Sequence, residues 1–328
     1  MSKLDESSLY DLQIRLLDNA IWIILAIVYG IFVMLNPGGM LSLSLIQFTI
    51  YSSLPLFFLA AAEGICIISG NFDLSVGQMT GFIAMSSAVI VTGDLGFSLP
   101  WYISIFVPIL IGAAAGALNG SMVGFLNLNP FVVTLGTYML FNGLTRVIRI
   151  TTVYEGFPKY YVGLAGNFWS GLPIFLVLLG LLYFLLNHSS IGRQIYFSGS
   201  ETQAAKMMGV KKRNLNFKVF LLSGILCGIG ALFYTGYSGV VSVTLANETL
   251  FLAFAGAIIG GIGLKGGSGS ILNIVGGVLL LSVILAGLAM LGGISAQMRQ
   301  ALYGIVVIFA VIFNLIRDQL RDRLIQRQ

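Results

Sequence analysis

The chain has 328 residues, of which 57% are hydrophobic and 9% charged, with a mean hydropathy of +0.96 and a formal net charge of +5. Soluble domains carry about 25% charged residues, so this composition excludes a soluble globular protein and points to a chain that lives in a bilayer. Two cysteines, Cys66 and Cys227, and one histidine, His188, make neither a disulfide framework nor a metal centre, and the basic residues follow membrane topology, not a nucleic-acid surface.

Residues 1–18 read as a short mixed-charge tail. The apolar run behind them lacks the small-residue cleavage site of a secretory signal and is expected to stay as an anchor. Span 1 covers about Ala20 to Leu35 and ends at the turn cluster Asn36-Pro37-Gly38-Gly39. Span 2 runs from about Leu43 to Ile68. A polar, glycine-bounded break, Ser69 to Gly77, separates it from span 3, which ends near Val91. After Gly93-Asp-Leu-Gly96, span 4 covers about Pro100 to Phe125 and span 5 about Phe131 to Ile148. A polar loop with Arg149, Glu155 and Lys159 precedes span 6, Phe168 to Leu186. A basic loop, 188–217, leads to span 7, Lys218 to Tyr237, and a Ser/Thr/Asn-rich loop to Glu248 leads to the short span 8, Leu250 to Leu264. Spans 9 and 10, Ile271 to Leu291 and Met298 to Asn314, flank the end of the chain, and 315–328 is an arginine-rich tail.

The expected fold is therefore an all-α polytopic membrane protein, one permease-like domain over 1–328, with about ten transmembrane helices and broken or re-entrant segments. An even count puts both termini on one side. If that side is the cytoplasm, it holds thirteen lysines and arginines, among them Arg193, Lys206, Lys211, Lys212 and Arg213, against Arg146, Arg149, Lys159 and Arg299 outside. Spans 2–5 and 7–10 enter from opposite sides and both carry glycine-rich breaks, which suggests an inverted repeat.

Between Asp18 and Arg146 the only charged residues are Glu63, Asp73 and Asp94. A charge at membrane depth marks a pathway or a paired site. Asp94 falls in an outer turn. Asp73, with Ser75 and Gly77 behind it, either caps span 3 or lines a cavity beside an unwound helix. Glu63 needs a partner that the sequence does not name. Gly112, Gly116, Gly120 and Gly124 recur every four residues along span 4, a seam for close helix packing or a smooth wall for a moving solute. Asn119 flanks it, and Thr134, Thr137 and Asn142 lie on span 5, where such groups glue helices or bind a hydroxylated solute.

Gly261-Ile-Gly-Leu-Lys-Gly266 matches G-x-G-x-x-G but has no βαβ context, and no P-loop exists anywhere, so the chain has no ATP site of its own. No nucleophile triad can form around one loop histidine, and the chain is expected not to be an enzyme. Within the basic loop, Ser200 and Gln203 form a Ser-x-x-Gln capping box and Gly209 supplies a left-handed stop. The eight residues between, Glu201 to Met208, would make a rod of roughly 12 Å. Ala204, Ala205 and Met208 are then free to enter a groove on a partner. A surface helix lying in the headgroups is the alternative.

Gly70-Asn-Phe-Asp-Leu-Ser-Val-Gly77 resembles the Gly-Gly-Ile-Asp-Leu-Ser-Val-Gly signature of the ribose-type ABC transporter permeases, and Asn129-Pro-Phe-Val-Val-Thr-Leu-Gly136 resembles their Pro-Phe-Ile-Val-Thr-Leu-Gly segment. Gly192-Arg193 with Glu201, Ala204, Ala205 and Gly209 is similar to their coupling loop, and Gly260-Gly261 with Gly266-Gly-Ser-Gly-Ser270 to their late glycine turns. The similarity spans roughly residues 40–315; Asn71, Phe72 and Glu63 depart from the pattern, which bears on the substrate. The resemblance implies the membrane subunit of a binding-protein-dependent importer in a prokaryotic inner membrane, with both termini cytoplasmic. It further implies a second permease, identical or homologous, an extracytoplasmic solute-binding protein, and ABC ATPase subunits that hold ATP and Mg and grip the 188–217 loop. The solute would be a pentose, hexose, furanose or nucleoside. An ion-coupled secondary transporter, an amino-acid-branch ABC permease and a non-transport membrane subunit are the rival readings.

Overall fold

A computed structural model of the chain describes residues 17, 19–93, 99–148, 153–154, 157–200, 209–245, 249–291 and 296–325. Hydrocarbon offers no partner to a bare peptide group, so apolar runs of this length satisfy their own backbone as helices. Six helices are long and apolar enough to cross a membrane, and Ala20–Leu35, Val76–Val91 and Thr249–Ile259 are shorter apolar helices. In order, the helices are α1 Ala20–Leu35, α2 Pro37–Met40, α3 Leu43–Ile68, α4 Val76–Val91, α5 Trp101–Ser104, α6 Val107–Gly120, α7 Pro130–Ile148, α8 Lys159–Ala165, α9 Phe168–His188, α10 Ser190–Ser200, α11 Lys212–Ser238, α12 Thr249–Ile259, α13 Ile271–Met290 and α14 Ala296–Ile325. A π-helical turn, Ser121–Phe125, follows α6, and β1 Val153–Tyr154 pairs antiparallel with β2 Val241–Ser242.

Each of the ten apolar runs of the sequence carries a helix, although span 8 stops at Ile259 and not at Leu264, because Gly260 and Gly261 end it. Three further details differ from expectation. Span 4 is broken, with α6 restarting at Val107 because Pro108 in its first turn gives up no helix hydrogen bond there. The last helix does not stop at Asn314 but runs to Ile325, since residues 315–325 are mostly good helix formers with no glycine or proline among them. The 188–217 loop contains α10, whose N-cap Ser189 accepts the Gly192 N–H at 3.0 Å and which buries Gly192, Ile195 and Ser198 on one face.

α3 is the axis of the bundle. Most of it is buried, and it packs against α11, α12 and α13. α7 and α9 are mostly exposed, with Phe131, Val132, Val177 and Leu181 pointing outward. α1 is held at the side by a small cluster in which Ile21 packs with Ala255, Ile259, Leu280 and Leu281.

Candidate functional site

The break at 69–75 begins where α3 ends. Gly70 takes a φ of 80° and donates its N–H to the Ile67 carbonyl at 2.9 Å, while the Asn71 N–H reaches the Cys66 carbonyl at 2.8 Å. This is the left-handed helix stop that glycine permits. The Asp73 carboxylate then accepts the Ser75 N–H at 3.1 Å and the Ser75 hydroxyl at 2.5 Å on one oxygen, an Asx turn that starts α4. Its other oxygen accepts the Ser223 hydroxyl of α11 at 2.9 Å. Asn119 of α6 donates to the Ser75 hydroxyl at 2.9 Å. Asp73, Ser75, Asn119 and Ser223 are all fully buried, so four elements are tied by one polar knot.

Glu63 lies beside this knot, buried in α3, and its carboxyl accepts the Asp73 backbone N–H. Glu63 Oε2, Asn119 Oδ1 and Gln78 Nε2 have no hydrogen-bond partner among the described residues. Buried polar atoms of that kind are few in native structures. Thr134 is buried on α7 and donates to the Pro130 carbonyl at 2.9 Å and, more weakly, to the Phe72 carbonyl of the break at 3.5 Å. Thr137 bonds back to Val133 within α7. Asn142 stands apart: it accepts the Arg146 side chain at 3.0 Å on the exposed side of α7. Thus Glu63, Asp73, Asn119 and Thr134 converge on the break, and Asn142 does not.

The column Gly112, Gly116, Gly120 and Gly124 faces the backbone of α11. A Cβ on Gly112 would strike the Gly224 carbonyl, one on Gly116 the Phe220 carbonyl, one on Gly120 the Phe217 carbonyl at 2.7 Å and one on Gly124 the Arg213 carbonyl at 2.5 Å. Gly224 and Gly228 answer from the other side. This close approach sets Asn119 within reach of Ser75. At the end of the seam, Phe125 stacks on Phe217 and lies 4.9 Å from the Arg213 guanidinium, a cation–π contact.

A cavity of about 450 Å³ occupies the other end of the bundle, between the first half of α3 and the last turns of α11 and α13. Thr49, Ser52, Thr80, Tyr234, Tyr237, Thr249 and Ser282 give it hydroxyls, and none of the described residues that line it is charged. Tyr237 is braced by Phe48 and Tyr51, with ring centroids 5.9 and 5.3 Å away. Tyr51 is itself fixed by donating to the Ala165 carbonyl. The volume falls in the ~300–1,000 Å³ range of small-molecule sites. Thr80 belongs to α4, the helix that the Asp73 turn starts, so the cavity floor and the knot share an element.

At the knot's end of the bundle, α10 is stitched to both glycine breaks. Gly267 donates its N–H to the Ile68 carbonyl at 2.8 Å, Ser198 donates to the Ser69 carbonyl at 3.5 Å, and Tyr196 donates to the Gly269 carbonyl at 3.0 Å. Burial pushes the Tyr196 phenol above its ordinary value, which keeps it a donor. A Cβ on Gly199 would strike the Ile68 carbonyl and the Gly267 nitrogen. Ser200, which the sequence places at the start of a capped helix, is the last described residue of α10, and its hydroxyl turns back to the Phe197 carbonyl at 3.3 Å; the helix that it would cap lies outside the described residues. Gly209 has a φ of 76°, the left-handed conformation. Glu201, Ala204, Ala205 and Met208 lie outside the described residues.

Sequence reasoning missed Ser223 and the cavity hydroxyls. The pairs Thr49/Ser52 and Tyr234/Tyr237, each three apart within an apolar run, mark one helix face and were the available signal.

A family model described as "Branched-chain amino acid transport system / permease component" matches residues 45–311. Among curated proteins, an autoinducer 2 import system permease protein LsrD of Enterobacter sp. (strain 638) is 29% identical over 93% of this chain and 95% of its own length. The protein of the same name from Photorhabdus temperata is 29% identical over 94% and 95%, and that of Klebsiella pneumoniae 29% identical over 85% of each chain. No solved structure matches the chain significantly.

Proposed function

The chain belongs to the family of branched-chain amino acid transport system permease components, and from that premise we propose that it is the transmembrane subunit of an ATP-driven importer for a neutral, hydroxyl-rich solute, a sugar or a furanose. The observation that carries this reading is the cavity with seven hydroxyl side chains and no charged one among the described residues that line it. An amino acid would bring an ammonium and a carboxylate that each need a partner in so apolar a setting. A polyol needs only donors and acceptors. Its carbon faces are complementary to Phe48 and Tyr237. The relatives whose names specify autoinducer 2 import support the same side of the family.

In this reading the segment 201–208, next in sequence after α10, is the contact with the ABC ATPase subunits, and the α10 stitches carry its movement to the breaks at 69–75 and 260–270. ATP and Mg are held by those partners. A second permease completes the pathway, a solute-binding protein delivers the solute from outside, and both termini face the cytoplasm of an inner membrane. Glu63, Asp73, Asn119, Thr134 and Asn142 are pathway residues only in the sense that the break they surround, Asn142 excepted, moves when the pathway opens.

The test is to purify the chain with its membrane partners and measure uptake of labelled pentose, furanose and leucine into vesicles with the binding protein present. Uptake of a neutral sugar that needs ATP supports the proposal, and uptake of leucine alone sinks the solute assignment. Ala205→Glu is expected to lose the ATPase from the purified complex while the chain remains in the membrane. The buried pair Glu63 and Asp73 supports one second reading, ion-coupled transport. That reading predicts uptake without ATP that a protonophore abolishes.

A further inference from the structure

Two further cavities meet at one residue, Trp22 of α1. The first, about 690 Å³, lies where α10 faces the glycine loop, and Asn19, Tyr196, Ser268, Ser270, Asn273 and Arg317 give it polar walls. Arg317 is the charged residue among the described residues that line it. The guanidinium is held in place by donating to the Gly261 carbonyl at 3.1 Å. The second cavity, about 300 Å³, runs along α1 and is walled by Leu25, Ala26 and Tyr29 of α1, Ile46 of α3, and Leu279 and Val283 of α13. From Asn19 to Tyr29 the helix rises ~15 Å, so the pair forms a furrow that is cationic and polar at one end and apolar along its length.

We propose that this furrow is a binding site for an anionic phospholipid, with the phosphate beside Arg317 and one acyl chain along α1. Three observations favour that occupant over others. The charge at the polar end is positive and complements a phosphate. The apolar stretch gives nothing to a free anion or a sugar, but it buries a hydrocarbon chain. Trp22, 38% exposed, sits at the change from polar to apolar wall, where indoles collect at membrane interfaces. The site touches the transport reading at Tyr196, Gly261, Gly267 and Gly269, which line its polar end, and at Thr49, which its apolar end shares with the solute cavity, so bound lipid would brace Arg317 against the second glycine break.

The experiment uses the full chain in nanodiscs of phosphatidylcholine containing a phosphatidylglycerol with a diazirine on its acyl chain. Irradiation is followed by peptide mapping. Adducts are expected on the α1 and α13 peptides that carry Leu25, Ala26 and Leu279. Unlabelled phosphatidylglycerol should compete, and phosphatidylcholine should not. Arg317→Gln is expected to lower labelling about fivefold, the loss of one basic contact at an anionic surface. Ala26→Trp, which fills the furrow, should abolish it. Labelling unchanged in both variants overturns the proposal, as does equal competition by phosphatidylcholine. Displacement by millimolar inorganic phosphate would make this a free-anion site and also overturn it. Should Arg317→Gln fail to insert, Ala26→Trp and Leu279→Trp decide the matter by the same readout.

Discussion

Helix α3 ends at Gly70 with a φ of 80°, and the Asn71 N–H closes onto the Cys66 carbonyl at 2.8 Å. Helix α12 ends at Gly261 with a φ of 89°, and the Ile262 N–H closes onto the Ala257 carbonyl at 3.1 Å. The two stops are the same device, yet the segments that follow are held by different forces. Residues 69–75 are fixed by side chains arriving from α6 and α11: Asn119 on Ser75, and Ser223 on Asp73. Residues 260–270 are fixed mainly by backbone, with Gly263 on Ser268, Gly266 on Gly263 and Gly267 on Ile68, and by Arg317 laid over Gly261. The first break is therefore sensitive to hydrogen-bonding chemistry and the second to volume.

The largest expected effect tests the support of the first break from a distance. Gly116→Leu would wedge the side chain into the Phe220 carbonyl and push α6 away from α11, taking Asn119 with it. We expect a loss of more than ~4 kcal/mol, seen as a collapse of the monodisperse peak in size-exclusion of the detergent-extracted protein. Asp73→Ala comes next. It leaves the Ser75 N–H, the Ser75 hydroxyl and the Ser223 hydroxyl without their acceptor, at a cost of ~3 kcal/mol; Asp73→Asn should recover most of the lost melting temperature. If Ala and Asn melt alike, the side-chain account of this break fails.

Gly267→Ala tests the second break. At φ 71° and against Ser200, the added methyl costs ~1–2 kcal/mol of strain. Its larger signature should be functional, a fall in solute moved per ATP hydrolysed, because the Gly267–Ile68 bond joins the two breaks. A melting shift with an unchanged ratio would separate that bond from coupling. The smallest effect is Ser223→Ala, which removes one donor and should cost ~1 kcal/mol by thermal unfolding.

The spans were legible because lipid leaves a helix as the only continuous solution for an apolar run, and glycine marks the stops at 70 and 261. What escaped was set by pairing across the chain. Asp73 and Ser223 are 150 positions apart, and nothing local in either stretch announces the other. The cavity hydroxyls come from five helices and acquire meaning only once those helices are packed. α10 escaped because its three serines, two glycines and short length read as a loop, although its Ser189 cap and buried Ile195 hold it as a helix. Asp73 itself was read with two roles open. Its Asx turn fits the structural one, and the partner on α11 adds a tertiary role that no turn rule contains.

The pairing of Val153 with Ser242 and Tyr154 with Val241 bears on how the bundle bends. These two short strands belong to connections lying on either side of α9, α10 and α11, so they act as a clasp between the early and late parts of the chain. A clasp at one rim makes that rim a pivot. Displacement applied at the far rim, where α10 meets the glycine breaks, is then converted into tilt, and its amplitude grows with distance from the strands. A stroke too small to unfold anything at Gly267 thus has a lever the length of α11 to act through.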